Sequence, residues 1–136
     1  MAGYSGRSLP QKLGIKLGCS MAVIEPPANY LELLDPMPEG VRFCTKRENP
    51  DLFHYFCTKR ERLARDLPRL RKLMRDDATL WVSWPKKSAG LPTTVTEDTV
   101  REIALPLGLV DNKVCAVDET WSALRLVVRL THRATR

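Results

Sequence analysis

The stretch that decides the fold is Thr79-Leu-Trp-Val-Ser-Trp84, a largely apolar run that is typical of a buried strand. A helix is predicted to begin after Thr96, because threonine is a favourable N-cap and acidic residues fill the first turn. Two further strands, predicted over 111–118 and 121–129, alternate in polarity and are joined by Glu119-Thr120. The last third of the chain is therefore predicted to run strand, helix and antiparallel hairpin.

Three shorter strands and two short helices are predicted upstream of this stretch. The strands are short apolar runs bounded by turn residues, over 20–25, 41–44 and 52–57. Helical turns are predicted within 9–16 and from Tyr30. As an alternative for the third strand, Leu52 could begin a long helix that runs to Met74. No helical period is visible before Thr58, and this favours the strand.

A basic amphipathic helix is predicted over 59–75. Its apolar residues recur at steps of four, three and four, and so lie on one face: Leu63, Leu67, Leu70 and Met74. The segment carries eight basic and two acidic residues, so the opposite face is strongly cationic. Pro68 lies inside the pattern and lacks a backbone donor, which predicts a kink or two abutting short helices there.

The alternation of strands and helices predicts an α/β fold built on a mostly parallel sheet of about six strands with a C-terminal antiparallel hairpin. At 136 residues the chain suits one domain. We predict an N-terminal arm with a short helix over 1–18, a single domain over 19–130, and a basic tail over 131–136.

This architecture resembles a truncated form of the Rossmann-like sheet of class I methyltransferases, over most of residues 9–130. The resemblance implies the strand order 2-1-3-4-6-5. A closer resemblance is to a bacterial family of small proteins of unknown function that is frequent in actinobacteria. The pieces that carry it are Tyr4-Ser5-Gly6, Lys12-Leu-Gly-Ile15, Leu80-Trp-Val-Ser-Trp-Pro-Lys86, Leu105-Pro106, Gly108-Leu-Val-Asp111, Lys113-Val-Cys-Ala-Val-Asp118 and Trp121-Ser122. The family has no established activity, so the resemblance implies a fold and a cytoplasmic location but no catalytic residues.

The turn after the first strand decides the question of a cofactor. A Rossmann-like sheet that binds a nucleoside cofactor uses a glycine-rich turn there, so that the backbone can approach the ligand closely. Here the turn is Glu25-Pro-Pro-Ala-Asn29, whose two prolines have no N–H to donate. The second strand also ends without an acid placed for a ribose hydroxyl. We therefore predict no bound S-adenosylmethionine and no other cofactor.

Two sets of residues are candidates for ligand binding. In an open sheet a ligand binds beyond the carboxyl ends of the strands, where the predicted residues are Pro26, Pro27, Thr58, Lys86 and Lys87. Thr58 and Lys86 suit a small anion there, although a solvated loop is the simpler explanation of the lysines.

The second set lies on the basic helix and offers alternative phosphate contacts: Arg62, Arg65, Arg69 and Lys72. These residues would support weak binding of nucleic acid. The simpler interpretation is a solvated outer face, because no aromatic side chains alternate with the charges.

The sequence gives little support for a metal site or for a catalytic nucleophile. The four cysteines form no Cys-x-x-Cys pair and are predicted to be reduced and buried: Cys19, Cys44, Cys57 and Cys115. His132 and His54 lie far from any cysteine pair, so no metal site is predicted. His54 is flanked by aromatic residues and is predicted to be a core or edge histidine, and no catalytic residues are predicted.

These patterns favour a non-enzymatic binding or regulatory module. Its partner would be a small anionic metabolite or another protein, with an enzyme site at the strand ends and nucleic-acid binding as the alternatives. No apolar run reaches the ~18 residues that a membrane span needs, so a cytoplasmic protein without a membrane partner is expected.

Overall fold

The computed structural model describes residues 7–133, which contain one six-stranded sheet. The strands are β1 (Ser20–Ile24), β2 (Arg42–Phe43), β3 (Leu52–Phe56), β4 (Thr79–Pro85), β5 (Leu109–Ala116) and β6 (Trp121–Val128). The α-helices are α1 (Leu9–Leu13), α2 (Tyr30–Leu33), α3 (Arg60–Leu73) and α4 (Glu97–Ala104). Single 3-10 turns are formed by Lys87–Ala89, Leu105–Leu107 and Leu130–His132.

The strand order is β2-β1-β3-β4-β6-β5, as predicted. Strands β1 to β4 pair in parallel, whereas β6 runs antiparallel to both β4 and β5. Ile24 is in register with Tyr55, and Tyr55 with Val82, so the carboxyl ends of β1, β3 and β4 share one edge of the sheet. The predicted fold class is confirmed.

Helices cover both faces of the sheet, and a separate apolar cluster fills each side. On one face, α3 and α4 bury Leu63, Leu67 and Val100 against alternate residues of the central strands. On the other face, α1 and α2 bury Leu13 and Tyr30. Because side chains of a strand point alternately to opposite faces, Trp81 and Trp84 belong to different clusters.

Several predicted elements are corrected in detail. The segment from Leu52 is a strand, so the helical alternative is wrong. The second strand is shorter than predicted and spans only Arg42–Phe43. Helix α3 is continuous, with Pro68 inside it, so two abutting helices do not form. Leu67 and Leu70, on either side of the proline, are both buried and hold the helix against the sheet across the missing hydrogen bond.

The helix start at Thr96 is confirmed, because its side chain accepts a hydrogen bond from the backbone N–H of Thr99 at 3.2 Å. The core position of His54 is confirmed as well, since the side chain has 0% exposure. No helix within residues 7–133 has the length and apolar character needed to cross a bilayer.

The four cysteines are free thiols. Cys57 is buried, as predicted, but the expected burial is wrong for the other three, which are partly exposed. Cys19 precedes β1, Cys44 follows β2 and Cys115 lies on the edge strand β5, so each sits where the sheet is covered incompletely.

Two segments used in the sequence-based predictions lie outside the described residues. They are Tyr4-Ser5-Gly6, which contributes to the family resemblance, and residues 134–136 of the predicted basic tail. The division of the chain into arm, domain and tail stays a prediction.

Candidate anion-binding groove

A short connection between β2 and β3 opens a groove on one face of the sheet. Parallel strands are usually joined by a crossover of about a dozen residues or more that contains a helix. The connection between β2 and β3, residues 44–51, is shorter than that and contains no helix. The Arg75 guanidinium, just after α3, donates to the Asn49 carbonyl at 2.7 Å, so the connection runs over the face that α3 covers. A groove of about 520 Å³ lies between this connection and α3.

Basic side chains line the groove from both sides. Helix α3 contributes Arg62, Arg65 and Arg69, at helical spacings of three and four that place them on one flank, together with Lys72. The connection contributes Lys46-Arg47 from across the groove. The apolar part of the lining comes from the end of β1 and the C-terminal half of α3: Ile24, Leu70 and Leu73.

Most of these cations have no protein partner within residues 7–133. Arg65 pairs with Asp66 at 2.9 Å. The other five basic side chains of the lining form no hydrogen bond or salt bridge with a described residue. By contrast, Arg75 pairs with Asp51 at 2.6 Å and Asp77 at 3.0 Å. The groove lining therefore carries six basic and two acidic side chains, an excess of positive charge that the described part of the protein compensates only in part.

Asp66, one of two acids in the lining, is engaged by its neighbours. The Tyr55 hydroxyl donates to it at 2.6 Å and Arg65 pairs with it from the adjacent position. Burial alone would raise the pKa of Asp66, but these hydrogen bonds outweigh it and lower that pKa below its usual value. Burial, with the Asp66 carboxylate alongside, raises the pKa of Tyr55 far above its ordinary value, so the phenol stays protonated.

Glu25, the other acid of the lining, has an unusual backbone. It follows β1 directly and has φ +57°, in the left-handed region that costs a non-glycine residue roughly 1–2 kcal/mol. Its carboxylate is exposed and makes no hydrogen bond or salt bridge with any residue of the described range. The sharp bend that a glycine-rich turn would supply after β1 is thus made here by a strained glutamate before Pro26 and Pro27.

The residues predicted at the strand ends lie at one edge of the sheet but outside the groove lining: Pro26, Pro27, Thr58, Lys86 and Lys87. The Lys86 ammonium already donates to the Asp118 carbonyl at 2.8 Å. The Thr58 carbonyl accepts from the Thr93 hydroxyl at 3.0 Å. Pro26 and Lys87 are exposed. Whether this set binds a ligand stays a prediction.

The structure does bring the alternative phosphate contacts together, since Arg62, Arg65, Arg69 and Lys72 all line the groove. Sequence reasoning missed their neighbours Lys46-Arg47 and the second side of the groove. The available signal was the brevity of residues 44–51, which cannot hold a crossover helix and so leave part of one sheet face open.

Sequence comparison gives no relative: no protein-family model matches the chain, and no curated protein matches it. The resemblance to a bacterial family of unknown function accordingly stays a prediction.

Solved structures, in contrast, share the fold. A SAM-dependent methyltransferase from Aquifex aeolicus matches with a TM-score of 0.66 and 16% identity over 88% of each chain. The magnesium protoporphyrin IX methyltransferase from Synechocystis PCC 6803 with bound SAM gives 0.55 and 11% identity, over 88% of this chain and 74% of that one. A ribosomal protein L11 methylase from Lactobacillus delbrueckii subsp. bulgaricus gives 0.55 and 9%, over 89% and 75%. At these identities the likeness shows the fold alone, which is the Rossmann-like fold of SAM-dependent methyltransferases.

Proposed function

We propose that this chain is a non-enzymatic binding module that holds a phosphate-bearing anion in the basic groove. The observation that carries the proposal is the set of unpaired cations that two separate segments, α3 and residues 44–51, contribute to one groove. Like charges brought together repel one another, and a concave site between protein walls concentrates their field. A phosphate group relieves that repulsion and accepts several charge-assisted hydrogen bonds.

The same residues do not fit S-adenosylmethionine, the cofactor that the fold suggests. Pro26 and Pro27 offer no N–H to a ligand lying over the turn after β1. After β2 the chain places Lys46-Arg47, which would repel a sulfonium cation. The next acid along the chain, Glu48, already accepts a hydrogen bond from the backbone N–H of Thr45 at 2.8 Å. These features support a protein that kept the fold and uses a different ligand.

The protonation of the nearby polar groups supports a binding role over catalysis. Burial raises the pKa of the Cys57 thiol to about 12, so the thiolate needed for nucleophilic attack is scarce at neutral pH. The Tyr55 phenol is held protonated in its hydrogen bond to Asp66. The enzymatic alternative would need a group outside this cluster.

Titration with inorganic tripolyphosphate tests the proposal by calorimetry. Substitution of two unpaired groove arginines, Arg62→Gln with Arg69→Gln, should weaken tripolyphosphate binding about tenfold or more, because each removes a charge-assisted contact. Amide shifts in the wild-type protein should centre on α3 and residues 44–51.

The matched control is Lys87→Gln with Arg129→Gln, which removes two cations outside the groove lining. Because the change in net charge is the same, this control separates a local site from general attraction, and it should bind like the wild type. Equal loss in both double variants would contradict the groove as the site. A larger loss in the control would favour the strand ends.

A further inference from the structure

We propose, building on the anion-binding role proposed for the groove, that its ligand is a nucleoside polyphosphate. In this arrangement Arg62 and Arg69 contact the phosphates, and Glu25 accepts hydrogen bonds from the ribose hydroxyls.

A ligand made of phosphate alone leaves Glu25 unexplained. A carboxylate in the lining of a basic groove repels a phosphate and lowers the affinity for it. Glu25 has no compensating partner among residues 7–133, so its oxygens are free to accept. The ligand that suits both features carries hydrogen-bond donors beside its phosphates. A vicinal pair of ribose hydroxyls supplies two such donors to one carboxylate.

The backbone at Glu25 points the same way. The residue lies between the end of β1 and the rigid Pro26-Pro27 pair, and it holds φ +57° although glycine would take that conformation without strain. Strained non-glycine residues cluster at functional sites, where the side chain makes an interaction that offsets the conformational strain. At Glu25 the side chain contributes a carboxylate to the groove and no internal hydrogen bond, so a contact with a ligand is what it can supply.

The remaining lining suits a single nucleotide better than a polynucleotide. Ile24 and Leu73, which are both partly exposed, provide an apolar patch for a base, and about 520 Å³ lies in the usual range for small-molecule sites. Single-stranded nucleic acid is normally held by aromatic rings on which successive bases stack. Tyr55, the aromatic residue of this lining, is fully buried and committed to Asp66, so it offers no stacking face.

Calorimetry with three kinds of probe tests this inference, on the wild-type chain and on Glu25→Gly. The probes are ATP and GTP, their 2′,3′-dideoxy analogues, and inorganic tripolyphosphate. Wild-type protein should bind at least one ribonucleotide about tenfold more tightly than its dideoxy analogue or tripolyphosphate. Glu25→Gly should abolish this preference and bind tripolyphosphate as tightly as the wild type or more tightly. Because glycine accepts φ +57°, the variant should fold.

The possible failures are distinguishable. If wild-type protein binds tripolyphosphate but prefers neither ribonucleotide, the nucleotide assignment is wrong and the anion-binding proposal stands. If Glu25→Gly raises the affinity for all three kinds of probe equally, Glu25 acts only by repelling the phosphates, and the nucleotide assignment is again wrong. A single-stranded DNA oligonucleotide serves as an additional probe, and tighter binding of it than of either ribonucleotide would replace the assignment with nucleic acid. If no probe binds, both proposals fail.

Discussion

His54 is a fully buried side chain whose two ring nitrogens both have partners. Nδ1 lies 2.7 Å from the Tyr30 hydroxyl, and Nε2 lies 2.7 Å from the Ser83 hydroxyl. Burial lowers the pKa of His54 to about 3, because a charged ring cannot be solvated between the sheet and α2. The neutral ring has one donor and one acceptor, and hydroxyl groups can match either, so the network suits the uncharged form.

This network makes stability depend on pH. The unfolded chain binds a proton at His54 below its ordinary pKa of 6.5, whereas the folded chain does so only near 3. The free energy of unfolding should therefore fall as the pH drops through this window, by about 2 kcal/mol from His54 alone between about pH 7 and about pH 5. Urea unfolding at several pH values measures it.

The comparison variant is His54→Gln, which keeps one donor and one acceptor but does not titrate in this range. It should lose most of the acid sensitivity, while substitution of the exposed His132 by Gln should retain it. Equal acid sensitivity in the wild type and His54→Gln would show that His54 is not the titrating group.

For a single residue, the sequence predicts which element it lies in and whether it is buried more readily than it predicts its hydrogen-bond partners. His54 could be placed in a buried strand because aromatic residues flank it, but its partners Tyr30 and Ser83 come from other elements. The bend at Glu25 could not be predicted, since nothing local marks a glutamate for positive φ.

At the scale of secondary-structure elements, the order of the strands in the sheet is predicted well from the sequence, whereas the groove is predicted poorly. Each strand and helix carries its own period, and the right-handed crossover rule limits the possible strand orders. The resemblance to a methyltransferase-like sheet then selects the order. The groove depends on what is missing, namely a helix within residues 44–51. A charged flank of α3 looks the same in the sequence whether it faces solvent or another basic segment.

Helix α3 contains an internal proline that offers a test of its energetics. Pro68 has no N–H for the carbonyl of Ala64 and crowds the preceding turn. Pro68→Ala should raise the free energy of unfolding by about 1–3 kcal/mol, measured by urea unfolding. Pro106→Ala is the control, because Pro106 lies in the first turn of the 3-10 helix Leu105–Leu107, where a proline removes no such bond, and its effect should be small. A Pro68→Ala variant that is less stable than wild type would contradict this account.

At the scale of the whole molecule, the stability of the fold depends on helices that cover both faces of the sheet. Within residues 7–133, the face opposite α3 is covered by two short helices, α1 and α2, and side chains hold α1 to it. The Trp81 indole N–H donates to the Leu13 carbonyl at 2.9 Å, and the Lys12 ammonium donates to the Ala116 carbonyl at 3.1 Å. We infer that α1 belongs to the same folding unit as the sheet, although it lies within residues 1–18, which are predicted as an N-terminal arm with a short helix apart from the domain.

A pair of leucines in this segment tests that inference. Leu13 is 1% exposed and Leu17 is 73% exposed, so Leu13→Ala should lower the free energy of unfolding by about 2–5 kcal/mol and Leu17→Ala by less than about 0.5 kcal/mol. Both variants should unfold in a single transition in urea, because loss of the α1 contacts exposes the core beneath Trp81. An unchanged midpoint for Leu13→Ala, or an early separate transition, would instead mean that α1 packs against the sheet without being needed to hold it together.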